Sequence, residues 1–460
     1  MLKTINRDRR AGFRSGPPQT RAGGVRRSLF VLVVLSTILV LGGASSPSSG
    51  HAFILSLVCV PFLTYALLRR PPAALLLFDP VPAYFLLAIL ALIILHLVPL
   101  PPSLWTQLPG REVAVRGMEL MGAEDAWLPL TLDPPAAFAS ALGLVPAVTL
   151  AIVTIRSGRL PSVEVGLLIV AFALLSLVMG ALQVAGSHQS PLYIHAFTNW
   201  GMAVGFFANA NHFSTFLLIS LPVLAALLRW KLPLPEQAWV RIGTVALYGT
   251  FVVVGIFLAR TVAGLLLFPM ALAAALLIAS ARSSGWLRRS VLVLPVASIG
   301  LLLVAAYRSE SGAFMTRFGA EPGGRLEIGR TTIEAAMSSW PVGSGIGSFN
   351  RVYRLFEDPD EVTNVFVNHA HNDYLEVFAE TGLLGAVLIL AFLAWWGLRS
   401  TQAWRDARPD AYWTQTASVV IGIILAHSLV DYPIRTPAIM ALFVFYVLTL
   451  SEPRAAGTEP

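Results

Sequence analysis

The sequence predicts an all-α polytopic membrane protein of about twelve transmembrane helices with one large loop on the outer side. Three observations predict it. Of its 460 residues 56% are hydrophobic and only 12% are charged, whereas soluble domains carry about 25% charged residues. Apolar runs close to the roughly 20 residues that span a bilayer recur along the whole length. Basic residues fall between these runs in the alternating pattern of topology signals. That placement also sets aside nucleic acid as a partner for the net charge of +7, and leaves membrane lipids as the expected surroundings.

Residues 1–27 hold eight Lys or Arg and no apolar periodicity, and read as a basic cytoplasmic tail. Spans follow at about 29–44, 51–68, 75–98, 136–155, 163–184, 209–228, 242–258, 262–281 and 291–306, then at 383–398, 414–430 and 437–451. Residues 28–306 thus carry helices one to nine, 383–451 carry ten to twelve, and 452–460 form a second cytoplasmic tail. With the amino terminus inside, Arg69-Arg70, Arg156 with Arg159, Arg229 with Lys231, Arg288-Arg289 and Arg405 with Arg408 all fall inside. Asp79, Pro80 and Pro82 weaken the third span, because proline breaks a helix interior. Cys59 is the only cysteine, so it forms neither an intramolecular disulfide nor a thiol metal site.

Two outer loops are long: a Pro-rich one over about 99–135, and 307–382, the one large polar segment. Loops of that length are usually functional. The second contains Arg308, Arg317, Arg325 and Arg330, an amphipathic helical pattern from Leu326 to Trp340, then Gly343-Ser344-Gly345-Ile346-Gly347, Arg351 and Arg354. It ends on His369-Ala370-His371-Asn372. Asp373 and Glu376 have the D-x-x-E spacing of a capping box, which predicts a helix from Tyr374 to Thr381 stopped by Gly382. His371 and Asn372 would then stand before a helix amino terminus, which favours anions. Arginine binds phosphate with bidentate geometry, and histidine suits proton transfer near neutral pH. The same residues also allow a plain helix-capping histidine and arginines anchored to lipid heads. The glycine run lacks dinucleotide-fingerprint spacing and reads as a tight loop, whose N–H groups could face phosphate. No compact acidic set accompanies His369-x-His371, so no metal or other cofactor is expected.

Polar residues elsewhere mark the bundle interior. Asn209 and Asn211 open the sixth span, Arg260 stands between two spans, and Asp431 follows His427, with which it could pair.

The stretch from Gly324 to Phe349, followed by His369 to Gly385, resembles the bacterial O-antigen ligase and polymerase superfamily. Its ligase pattern, His-Asn, nine residues, then Gly-x-x-Gly, is met by His371, Asn372, Gly382 and Gly385. Weaker echoes are Gly205–His212, Arg260 and His427–Pro437, although Ala259 stands where the family often has serine. The resemblance implies a fold of the GT-C type and an inverting, metal-independent glycosyltransferase of the bacterial inner membrane, with the loop periplasmic. It implies an undecaprenyl-diphosphate-linked glycan as donor, and lipid A-core, another glycan or a protein as acceptor. His371, with His369 and Asn372, would be catalytic; Arg260, Arg325 and Arg330 would hold the diphosphate; Asn211, Asp431, Gly382 and Gly385 would support them. A lipid or polysaccharide transporter is the competing class, but no internal repeat of the kind transporters often show is present.

Overall fold

The protein is described by a computed structural model covering residues 21–44, 50–69, 79–158, 160, 162–280, 324–360, 362 and 367–452. The ninth predicted span, the start of the long loop with Arg308 and Arg317, and most of both tails lie outside these residues.

The described chain is almost entirely helical: α1 Arg21–Leu41, α2 Gly50–Leu68, α3 Val81–Leu97, α4 Pro102–Trp105, α5 Glu112–Leu120, α6 Pro134–Gly143, α7 Val145–Ser157, α8 Ser162–Ala185 and α9 Ala210–Lys231. Then come α10 Ala238–Leu258, α11 Val262–Ser280, α12 Arg325–Ser338, α13 Phe349–Phe356, α14 Asp373–Arg405, α15 Tyr412–His427 and α16 Pro437–Leu450. A two-residue antiparallel pair, Pro99–Leu100 with Leu128–Pro129, closes the base of the loop between α3 and α6.

The described residues form a polytopic helical bundle, and the predicted twelve spans include one that lies outside them. Six helices among the described residues, counting Pro134–Ser157 as one across the break at Leu144, are long and apolar enough to cross a bilayer by length and composition. Val81–Leu97 and Pro437–Leu450 are shorter apolar helices, and α1 and α2 are apolar over Ser28–Leu41 and Phe53–Leu68. The described part of the third predicted span is helical from Val81, just after Asp79 and Pro80. The fourth divides at Leu144 between α6 and α7, where Pro146 sits at the second helix's start.

Helix α9 is the centre of the bundle. Of its most apolar window 78% is buried, against 50% or less for the other five long helices. It packs on α8, α10, α11 and α15. The interior is tightened by small residues, as expected where lipid supplies no hydrophobic drive between helices. A Cβ on Gly264 of α11 would come within 3.0 Å of Ser214 of α9, and that contact carries a 2.6 Å hydrogen bond between Ser214 and Thr261. Apolar side chains on the outer faces, such as Leu167, Val178, Leu247, Phe251 and Leu390, remain exposed.

One end of the bundle is fastened by arginines bonded to helix-terminal carbonyls. Arg241, 1% exposed, donates to Ala279, Leu232 and Leu234. Arg399 donates to Leu450. These cations satisfy carbonyls that a helix end leaves unpaired. At the other end α9, α14 and α16 begin while α10 and α15 finish, and the polar residues singled out above gather there.

Candidate active site

Helix α14 begins one residue earlier than expected, and its cap differs. Asn372 is the N-cap, its side chain accepting from the Leu375 amide at 3.0 Å. The Asp373–Glu376 capping box does not form, because both carboxylates turn inward. Asp373 accepts from Ser428 at 2.8 Å and Glu376 from the Ala370 amide at 2.8 Å. Gly382 breaks the helix as expected, with φ 56° and ψ −139°. A Cβ there would lie 2.1 Å from the Pro341 carbonyl, so only glycine fits. The helix then resumes directly into the span, and Gly385 packs a Cβ-less face on Thr381.

His371 sits just before that cap, with φ 51°. Only Ser187, Arg260 and His371 have positive φ among the described non-glycine residues. Such backbone is uncommon for non-glycine residues and tends to gather at functional sites. His371 Nδ1 is 3.1 Å from Asp431 Oδ1, and an ionised Asp431 makes that nitrogen the donor. Burial would raise the Asp431 carboxyl. The hydrogen bond from His371 and the nearby Arg325 guanidinium outweigh it and hold the acid well below the usual carboxylate range. The imidazole is thereby held in one tautomer, with Nε2 carrying the lone pair. Arg325, at the start of α12, has NH2 3.7 Å from Asp431 Oδ2 and donates from NH1 to the Val430 carbonyl at 2.7 Å. His371 and Arg325 remain partly exposed, while Asp431 is fully buried.

His369 is oriented differently. Its Nδ1 is 2.9 Å from Glu376 Oε1 and the side chain is 8% exposed. Glu376 belongs to a buried set in which Arg435 faces Asp373 at 3.4 Å, Glu376 at 3.2 Å and Glu380 at 3.9 Å. Burial would lower the Arg435 guanidinium, but Glu376, Glu380 and Asp373 raise it above its ordinary value. Two histidine–carboxylate pairs therefore stand side by side, and the ring of Tyr432 lies against both. Tyr432 is 4.3 Å from the His369 ring, 5.1 Å from that of His371 and 5.0 Å from that of His212.

The remaining sequence candidates divide. Asn211 is at the first turn of α9, where its amide donates to the Asn209 cap at 2.8 Å. Arg260 is exposed at the site end between α10 and α11. Arg330 is turned away along α12 and pairs with Glu327 at 3.4 Å. His427 and Asp431 do not pair through their side chains: His427 Nδ1 goes to Thr215 at 2.7 Å and Asp431 goes to His371. Among the described residues no group of three His, Cys, Asp or Glu is arranged to hold a metal ion.

The glycine-rich loop is not a phosphate cradle, because its amides are spent internally. Gly343 donates to Ser339, Ser344 to Ala379, and Gly345 to Glu380. Ile346 donates to His96 Nδ1. The glycines let three backbones touch: a Cβ on Gly345 would lie 2.1 Å from Thr131 Cα, and one on Gly343 2.5 Å from the Glu380 carbonyl. Thr131 and Leu132, between α3 and α6, bond to Ile346 and Ser344, and Asp133 pairs with Arg351 at 2.5 Å. The loop between α3 and α6 thus buttresses the one between α12 and α13.

Residues 202–390 match the family described as O-antigen ligase. Over that segment, less than half of the chain, it is similar to the O-antigen ligase family. No curated protein gives a match. The matched segment contains Asn211, Arg260, Arg325, His369, His371, Gly382 and Gly385. Asp431, Tyr432 and Arg435 lie beyond it and are brought in by folding. Tyr432 and Arg435 were visible in the sequence only as part of the His427–Pro437 echo, which gave neither of them a role.

Proposed function

We propose that this protein is an inverting, metal-independent glycosyltransferase of the bacterial inner membrane. It moves a saccharide from undecaprenyl diphosphate to an acceptor hydroxyl on the periplasmic side, as an O-antigen ligase with lipid A-core as acceptor. The observation that carries this reading is the His371–Asp431–Arg325 arrangement: a partly exposed base with a fixed tautomer beside a guanidinium. His371 Nε2 takes the proton of the acceptor hydroxyl as its oxygen bonds to the anomeric carbon. The bond from that carbon to the diphosphate oxygen breaks on the opposite face, which inverts configuration. The electron pair leaves with the diphosphate, whose charge Arg325 and Arg260 stabilise. The proton on His371 passes to water. Asp431 stabilises the imidazolium that forms. His369 and Asn372 shape the acceptor side, and Arg330 meets the donor only at its periphery. The family match supports ligase or polymerase chemistry at the level of the superfamily.

Deleting the gene in the source bacterium should remove the long-chain lipopolysaccharide ladder and leave lipid A-core intact. His371→Ala should reproduce the loss, with carrier-linked glycan accumulating on the outer leaflet and transfer falling by at least about 100-fold. Core capped with a single repeat unit would point to a polymerase instead. An unchanged ladder would move the acceptor to an exopolysaccharide or a protein. Donor retained on the inner leaflet would point to a transporter, and transfer abolished by EDTA would refute metal independence.

A further inference from the structure

The hydrogen bond to Asp431 fixes His371 at one point only. A ring tethered through Nδ1 can still swing about that bond, and the swing carries Nε2, the atom that must meet the acceptor. The backbone adds no second constraint on the ring beyond its left-handed φ of 51°. What else touches the imidazole decides where Nε2 points.

Tyr432 is that contact. Its ring meets the His371 ring edge-on, at 5.1 Å and 62°. Tyr432 is itself held from several sides. His369 lies against it at 4.3 Å and His212, from α9, at 5.0 Å. Its hydroxyl accepts from the side-chain amides of Asn368 at 3.4 Å and Asn209 at 3.5 Å. The residue is 3% exposed. It follows Asp431 directly, so the acceptor of the His371 proton and the buttress of its ring move as one piece of backbone.

Resting on the function proposed above, we infer that Tyr432 is a positioning residue for glycosyl transfer. Its ring fixes the direction of His371 Nε2, and its hydroxyl, clamped by Asn209 and Asn368, holds that ring to the start of α9. The ring acts on the turnover step and not on the hold over the diphosphate, which belongs to the arginines.

The test uses the full chain in lipid nanodiscs. The probes are undecaprenyl-diphosphate-linked O-antigen from cells lacking ligase, with purified lipid A-core. Tyr432→Leu removes the ring and should lower kcat by about 10- to 100-fold, with KM for the donor within about 3-fold, as expected when a reacting group is misplaced. Tyr432→Phe keeps the ring and should retain at least about a third of kcat. Undecaprenyl diphosphate should raise the melting temperature of both variants as it does for wild type, which shows them folded and able to bind. Three results overturn the inference: Tyr432→Leu with wild-type kcat, Tyr432→Phe falling as far as Tyr432→Leu, or loss of undecaprenyl diphosphate binding together with kcat. Absence of transfer by the wild-type chain itself would instead count against the function proposed above.

Discussion

At the scale of single residues, two histidines two positions apart acquire different surroundings. His369 is drawn into the Arg435 set through Glu376, while His371 meets Asp431 and stays partly exposed. Local sequence cannot distinguish them, because both partners arrive from segments distant along the chain or across a turn. Asp431 gives a pH prediction. Its folded carboxyl is held below the unfolded value of about 3.9, so the ionised form adds stability above that value, and this is lost as pH falls. The melting-temperature difference between wild type and Asp431→Asn should be flat from about pH 8 to 5 and narrow below about pH 4. A difference already shrinking at neutral pH would show that Asp431 is not held low.

At the scale of elements, the amphipathic helix before Pro341 was legible, and the structure places it at Arg325–Ser338. The stop at Gly382 was legible too, because glycine tolerates positive φ. The cap was misplaced by one residue, since Asn372 and Asp373 are both good caps and only the burial of Asp373 against Ser428 decides between them. The glycine run was read as a tight loop, and its use as a three-way crossing with Thr131 and Glu380 was hidden because both partners lie outside it. Gly345→Ala should therefore cost on the order of 3 kcal/mol or more, since Thr131 backbone blocks the new methyl. Arg351→Ala should cost less than about 1 kcal/mol, because the arginine of its pair with Asp133 is largely exposed. Denaturation of the detergent-solubilised variants measures both, and equal losses would contradict the crossing.

At the scale of the whole molecule, α9 is the axis on which both the bundle and the site are built. It supplies His212, beside Tyr432, and Thr215, the partner of His427. Cys59, 0% exposed within α2, reports on the packing of the first helices against this core. Maleimide should leave Cys59 unmodified in the intact bundle and label it fully after denaturation in SDS. Rapid native labelling would mean that α2 is not docked as described.

The sequence by itself determined the class of molecule, the place of its polar chemistry and the superfamily. Apolar runs and basic punctuation follow from the cost of placing charge in lipid, and the His-Asn…Gly-x-x-Gly spacing is a local pattern. Tertiary structure alone decided which histidine faces a partly exposed carboxylate-paired position, that Arg325 and not Arg330 stands beside it, and that Tyr432 and Arg435 belong to the same end. The reason is physical: these outcomes depend on which groups meet when α9, α12, α14 and the link before α16 converge, and no periodicity within one segment encodes its neighbours.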